Sequence, residues 1–158
     1  MFKVGDKVVY PMHGAGVIEA IEEREFLGEK RQYYVMRMPI GDMKVMIPTE
    51  NSGDIGLRQV ISMEEVQRVL AVLRGKKTKM SGNWNRRYRA NMEKIKSGNA
   101  LEVAEVVRNL ILRDKEKGLS SGEKKMLDSA RQILISELVL AQDMAEEEAE
   151  HLLDALAN

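Results

Sequence analysis

What most constrains this chain is a change of hydrophobic period close to residue 60. Up to that point apolar residues come in short runs, "DKVVYP", "AGVIEAIEEREF", "KRQYYVMRM" and "MKVMIP", punctuated by turn-forming Gly, Asp and Pro. In the second run Val17, Glu19, Ile21 and Glu23 fall on one face of a strand, with Ile18, Ala20 and Glu22 on the other. The alternation is imperfect, as expected for a strongly bent sheet with partial burial on both faces. "LGEK" (Leu27 to Lys30) and "IGDM" (Ile40 to Met43) suit hairpin links. Several short strands with no helical period between them predict a small antiparallel β-barrel. From Ser62 onward the apolar spacing becomes helical. The expected class is therefore α+β: a β module over residues 1–60, then an all-α bundle of about five helices over residues 61–158.

Caps mark the helices. Ser62 and Glu65 in "SMEE" form a capping box, followed by a stripe of Met63, Val66, Val69, Leu70 and Leu73, and Gly75 ends this helix. After a basic loop, "KKTKMSG", Asn83 caps a second helix that runs to about Lys96. Asn99 with Glu102 opens a third, with Leu101, Val103, Ala104, Val107, Leu110 and Ile111 inward, and Gly118 closes it. Ser120 and Glu123 make a further capping box for a long helix through Leu140. Asp143 with Glu146 begins a last, acidic helix.

Composition removes several function classes. There is no cysteine, hence no disulfide, thiolate metal site or cysteine nucleophile. No apolar run approaches the roughly 20 residues of a membrane span. The start, "MFKVGDKVVY", lacks a signal-peptide apolar region, and a cytoplasmic protein is expected. The net charge is zero but unevenly spread. From Arg74 to Lys96 nine basic residues face one acid, Glu93, whereas from Ser120 onward three basic residues face nine acids. Local potential, not the total, governs polyanion binding.

Catalytic signatures are weak. The G-x-G of "HGAG" (His13 to Gly16) precedes a strand and not the helix that a phosphate-binding loop requires, so it reads as a turn or bulge. "SGEK" (Ser121 to Lys124) has the spacing of a serine–lysine pair, but at a helix start it reads as capping. His13 and His151, the only histidines, lie in different modules and support no zinc site. No enzyme, cofactor, metal or small-molecule substrate is expected. Met36, Met38, Met43 and Met46 cluster in the β half, either filling an irregular core or forming an adaptable partner surface.

The most informative segment is "SGNWNRRYRANMEKIKSGN", which carries the only tryptophan. Trp84, Tyr88, Met92 and Ile95 share one helical face, so Trp84 reads by periodicity as the first core residue. It also stands at the helix N-terminus, where exposed N–H groups and the dipole suit phosphate, beside Arg86, Arg87 and Arg89. Cations that hold a backbone, next to an aromatic that stacks or wedges at a base step, suit nucleic acid. The residues alone leave two readings open: a stand-alone nucleic-acid-binding module, and a scaffolding adaptor with Trp84 in its core.

Three stretches, "FKVGDKVVYPMHGAGVIEAIE", "NWNRRYRANMEKIKSG" and "AEVVRNL…RDKEKGLSSGEKKMLDSARQILISELVLA", resemble the CarD/CdnL family of bacterial transcription regulators. The N-terminal part also resembles the RNA-polymerase-interacting module of transcription-repair coupling factor. The resemblance implies a Tudor-like β module that binds the RNA polymerase β subunit, and a helical domain that contacts promoter DNA at the upstream edge of the bubble. There a tryptophan wedges into the minor groove near the −10 element, without sequence specificity, and the open complex is stabilised. On this chain the wedge falls on Trp84, phosphate contacts on Arg86, Arg87 and Arg89, and a further basic position on Lys124. Arg24 matches a polymerase contact, whereas Met46 stands where relatives can carry arginine, so that a charged polymerase contact is replaced or missing there. The resemblance turns the balance at Trp84 toward a partly exposed ring leaning on its own helix, with Tyr88, Met92 and Ile95 in the core. The acidic C-terminal helices are expected to point away from DNA.

Overall fold

A computed structural model describes residues 1–157. Five strands, β1 (Lys7–Tyr10), β2 (Gly14–Phe26), β3 (Glu29–Arg37), β4 (Lys44–Pro48) and β5 (Arg58–Gln59), form one antiparallel sheet in the order β4-β3-β2-β1-β5. Five α-helices follow: α1 (Met63–Arg74), α2 (Trp84–Lys96), α3 (Ala100–Lys117), α4 (Ser121–Gln142) and α5 (Glu146–Asp154). This is the expected α+β class. The β2–β3 hairpin turns through Leu27 and Gly28, both at positive φ, a pair of dihedrals that matches the right-handed twist of the strands. A register shift between Ile18 and Ala20 bends β2. It also accounts for the imperfect alternation seen in the sequence.

Each module has its own apolar core. Val8, Ile18, Tyr34, Met36, Met38, Ile47 and Leu57 fill the sheet side. The helical core is larger and is built mainly from α1, α3 and α4. Within the methionine cluster, Met36 and Met38 fill the core, while Met43 and Met46 are exposed.

The modules join along α4, which packs on β2. Gly14 makes this possible, because a Cβ there would lie 2.8 Å from Ser136 Oγ. In the space so opened, the Ala15 N–H donates to Ser136 Oγ at 2.8 Å. The buried Glu137 carboxylate accepts a two-pronged bond from Arg58 at 2.7 and 2.8 Å, and a third bond from the Ile61 N–H at 2.8 Å. Glu137 thus ties β5 and the start of α1 to the long helix.

Two caps differ from expectation. Ser62 and Glu65 form the complete reciprocal box. At α4, Ser120 accepts the Glu123 N–H, but the Glu123 carboxylate does not return the bond to the Ser120 backbone, because Arg87 engages it. Asp143 does not start α5. It closes α4 in a left-handed conformation, and Ala145 precedes α5 without a side-chain cap.

Candidate nucleic-acid interface

The Asn83 side chain accepts the Arg86 N–H at 3.1 Å and so sets the start of α2. Trp84, the first helical residue, is 42% exposed and lies outside the helical core, whereas Ile95 is buried and Tyr88 and Met92 pack against it. The indole stacks on Tyr88 with ring centroids 5.0 Å apart and planes 19° from parallel. Its Nε1–H donates to Ser120 Oγ, the α4 cap, at 2.9 Å. Gly122 lies alongside, where a Cβ would meet Trp84 Cζ2 at 3.4 Å. One ring face and the N–H edge are therefore occupied by protein. Two helix N-termini, those of α2 and α4, converge on this one half-exposed aromatic, each with its unpaired N–H groups and positive dipole end.

Arg87 corrects the sequence reading. It is 4% exposed and donates to Glu123, itself 2% exposed, through Nε at 2.8 Å and Nη2 at 3.2 Å. Its Nη1 donates to the carbonyls of Ser81 and Gly82. With its guanidinium spent inside, Arg87 does not present a phosphate contact. It ties α2 to α4 and holds the loop before α2. Arg87 holds the Glu123 carboxyl below the usual carboxylate range, against the opposing effect of burial, and hydrogen bonds from Ser120 add to it. The opposite side of the helix start carries the free cations. Arg86, Arg89 and, across on α4, Lys124 are exposed, and among the described residues none of them is in an ion pair. Lys77 and Lys94, from the same basic segment, pair with Glu116 and Glu105.

The basic loop is tethered as well. Thr78 donates its N–H to Asn109 Oδ1 at 3.1 Å and accepts from Asn109 Nδ2 at 2.8 Å. Buried Arg108 bonds the Val72 carbonyl from below. Among the described residues no helix is long and apolar enough to cross a membrane, and no group of three or more His, Cys, Asp or Glu is placed to hold a metal.

On the β module, cross-strand neighbours share a face. The register aligns Ala20 with Val35 and Met46, Glu22 with Tyr33 and Pro48, and Arg24 with Arg31. Arg24 and Met46 therefore lie on one face of the sheet, opposite the side that buries Tyr34 and Met36. Arg24 is exposed and paired with Glu22 at 2.7 Å, and Met46 sits 42% exposed on the edge strand. Beyond them the hairpin tip projects Phe26 and Leu27 into solvent.

Sequence reasoning missed the partners of Trp84. Ser120 was visible as a cap and Gly122 as a glycine, but no local signal reports that they meet the side chain of Trp84, far earlier in the sequence.

Residues 2–61 match the family model described as "CarD-like/TRCF RID domain", and residues 68–154 match "CarD, C-terminal domain". The Bacillus subtilis (strain 168) protein named "Putative transcription factor YdeB" is 47% identical over 148 residues, spanning 94% of this chain and 97% of that protein. The solution NMR structure of the 72-residue N-terminal domain of Myxococcus xanthus CarD is 36% identical over a match covering 37% of this chain and 79% of that one, with a TM-score of 0.33.

Proposed function

Because this chain belongs to the CarD family of transcription regulators, we propose that it docks on RNA polymerase through its β module and stabilises the open promoter complex through Trp84. The observation that carries the DNA half of this reading is the seat of Trp84. A half-exposed indole stands where two helix N-termini meet, and Arg86, Arg89 and Lys124 are exposed and free of ion pairs on the first turns of the same two helices. Cations and helix N-termini hold phosphates without reading sequence. An aromatic wedge occupies space that closed duplex would reclaim, so it favours the open state by its differential affinity alone. The contact is with promoter DNA in the minor groove near the −10 element, at the upstream edge of the bubble. Arg24 and the exposed sheet face with Met46 are the proposed contact with the polymerase β subunit. Docking there raises the local concentration of a weak DNA binder, so tight sequence-specific binding is unnecessary.

A pull-down with the polymerase β subunit tests the first half: the chain is retained, and Arg24→Glu weakens retention. For the second half, Trp84→Ala keeps the fold and polymerase binding but shortens open-complex lifetime by about tenfold. Failure of the β subunit to retain the chain would sink the docking. Tight binding to DNA at physiological salt without polymerase would favour a stand-alone nucleic-acid module instead.

A further inference from the structure

We propose that Ser120 is a positioning residue for Trp84, setting the angle at which the indole leaves the protein surface. The role rests on the wedge reading of Trp84. An exposed tryptophan at a helix start ordinarily samples several rotamers, and binding then has to arrest them. Here the ring is arrested beforehand from three directions: Tyr88 under one face, Gly122 beside the edge, and Ser120 on the indole N–H at 2.9 Å.

The direction of the Ser120 bond is itself fixed. Its hydroxyl donates to Glu123 Oε1 at 3.2 Å, which leaves the oxygen as an acceptor. That oxygen receives the Glu123 N–H at 3.2 Å and the Trp84 Nε1–H. Glu123 is in turn gripped by Arg87, three residues after Trp84 on the same helix. Two rungs, Trp84 to Ser120 and Arg87 to Glu123, therefore join the same two helix starts. The buried pair keeps α4 at the height where its cap meets the indole. Cap and seat are one hydroxyl.

The test uses the full chain with RNA polymerase on a promoter, and exploits Trp84 as the sole tryptophan. Ser120→Gly removes the hydroxyl while remaining a tolerated N-cap, and Ser120→Thr restores the hydroxyl. In the free protein, Ser120→Gly should lower the fluorescence anisotropy of Trp84 and raise its quenching by acrylamide. With polymerase, it should shorten open-complex lifetime by about fivefold, the factor a single hydrogen bond of ordinary strength carries, with β-subunit binding unchanged. Ser120→Thr should restore both signals. An unaltered Trp84 signal in Ser120→Gly overturns the proposal, as does a freed ring with a wild-type lifetime. Should Trp84→Ala itself leave the lifetime unchanged, the wedge reading falls and takes this role with it. A Ser120→Gly effect on fluorescence alone, beside an active Trp84, rejects Ser120 only.

Discussion

Arg87 and Glu123 are both almost wholly removed from water, and each is tolerable there only because of the other. Removing one partner strands a buried charge, so Arg87→Ala should cost about 3–5 kcal/mol in urea unfolding. Arg86→Ala and Arg89→Ala, on the exposed side, should stay within about 0.5 kcal/mol of the parent and weaken DNA contact instead. If Arg87→Ala proved as harmless as its neighbours, the assignment of Arg87 to structure would fail. Acid acts on the same pair. Glu123 titrates lower in the fold than when unfolded, so below the ordinary value of 4.5 the unfolded chain binds more protons. Its stabilisation is thus complete above that pH and disappears as pH falls through the lowered folded value. Trp84 emission should follow this acid transition, and Glu123→Gln should remove it at a permanent cost in stability.

At the scale of elements, the tip of the β2–β3 hairpin carries local backbone strain. Leu27 holds φ at 53° with 92% of its surface exposed, beside Phe26 at 72%. Asn tolerates the left-handed region that a leucine side chain crowds, by about 1 kcal/mol. Leu27→Asn should therefore raise the melting temperature. A strained, exposed apolar tip, on the same module as Arg24, is what a binding element tends to retain at the expense of stability. The same substitution should accordingly weaken retention by the polymerase β subunit. Higher stability with undiminished retention would show that the tip serves no contact.

Across the whole molecule, α4 is the spine. Its 22 residues span about 33 Å, from the Trp84 seat at Ser120 to the turn at Asp143. The acidic run Glu146–Glu148 follows that far end, so the negative charge sits away from the cationic pole. Roughly two-thirds of the way along, Ser136 and Glu137 clamp the β module, which sets the distance between the sheet face and Trp84. Glu137→Ala would leave the Arg58 guanidinium and the Ile61 N–H without their carboxylate. It should cost about 3 kcal/mol. With the clamp loosened, retention by the β subunit should persist while the gain in open-complex lifetime falls. A variant that kept the full gain would mean that the two modules need no fixed spacing.

The change of period near residue 60, the caps at Ser62, Asn83 and Asn99, and the inward stripe of α3 were all legible in the sequence. Each depends on residues within a turn or two of one another, where backbone geometry dictates which side chains share a face. The polarised charge, and Trp84 among arginines, were legible for the same reason. Only the tertiary structure decided which arginine is spent inside, that Glu123 serves Arg87 before its own cap, and that Ser120 receives the indole. Those outcomes turn on how α2 and α4 meet, across 36 residues of chain. Desolvation, which is a property of the assembled core and not of any local spacing, separates Arg87 from Arg86 and Arg89.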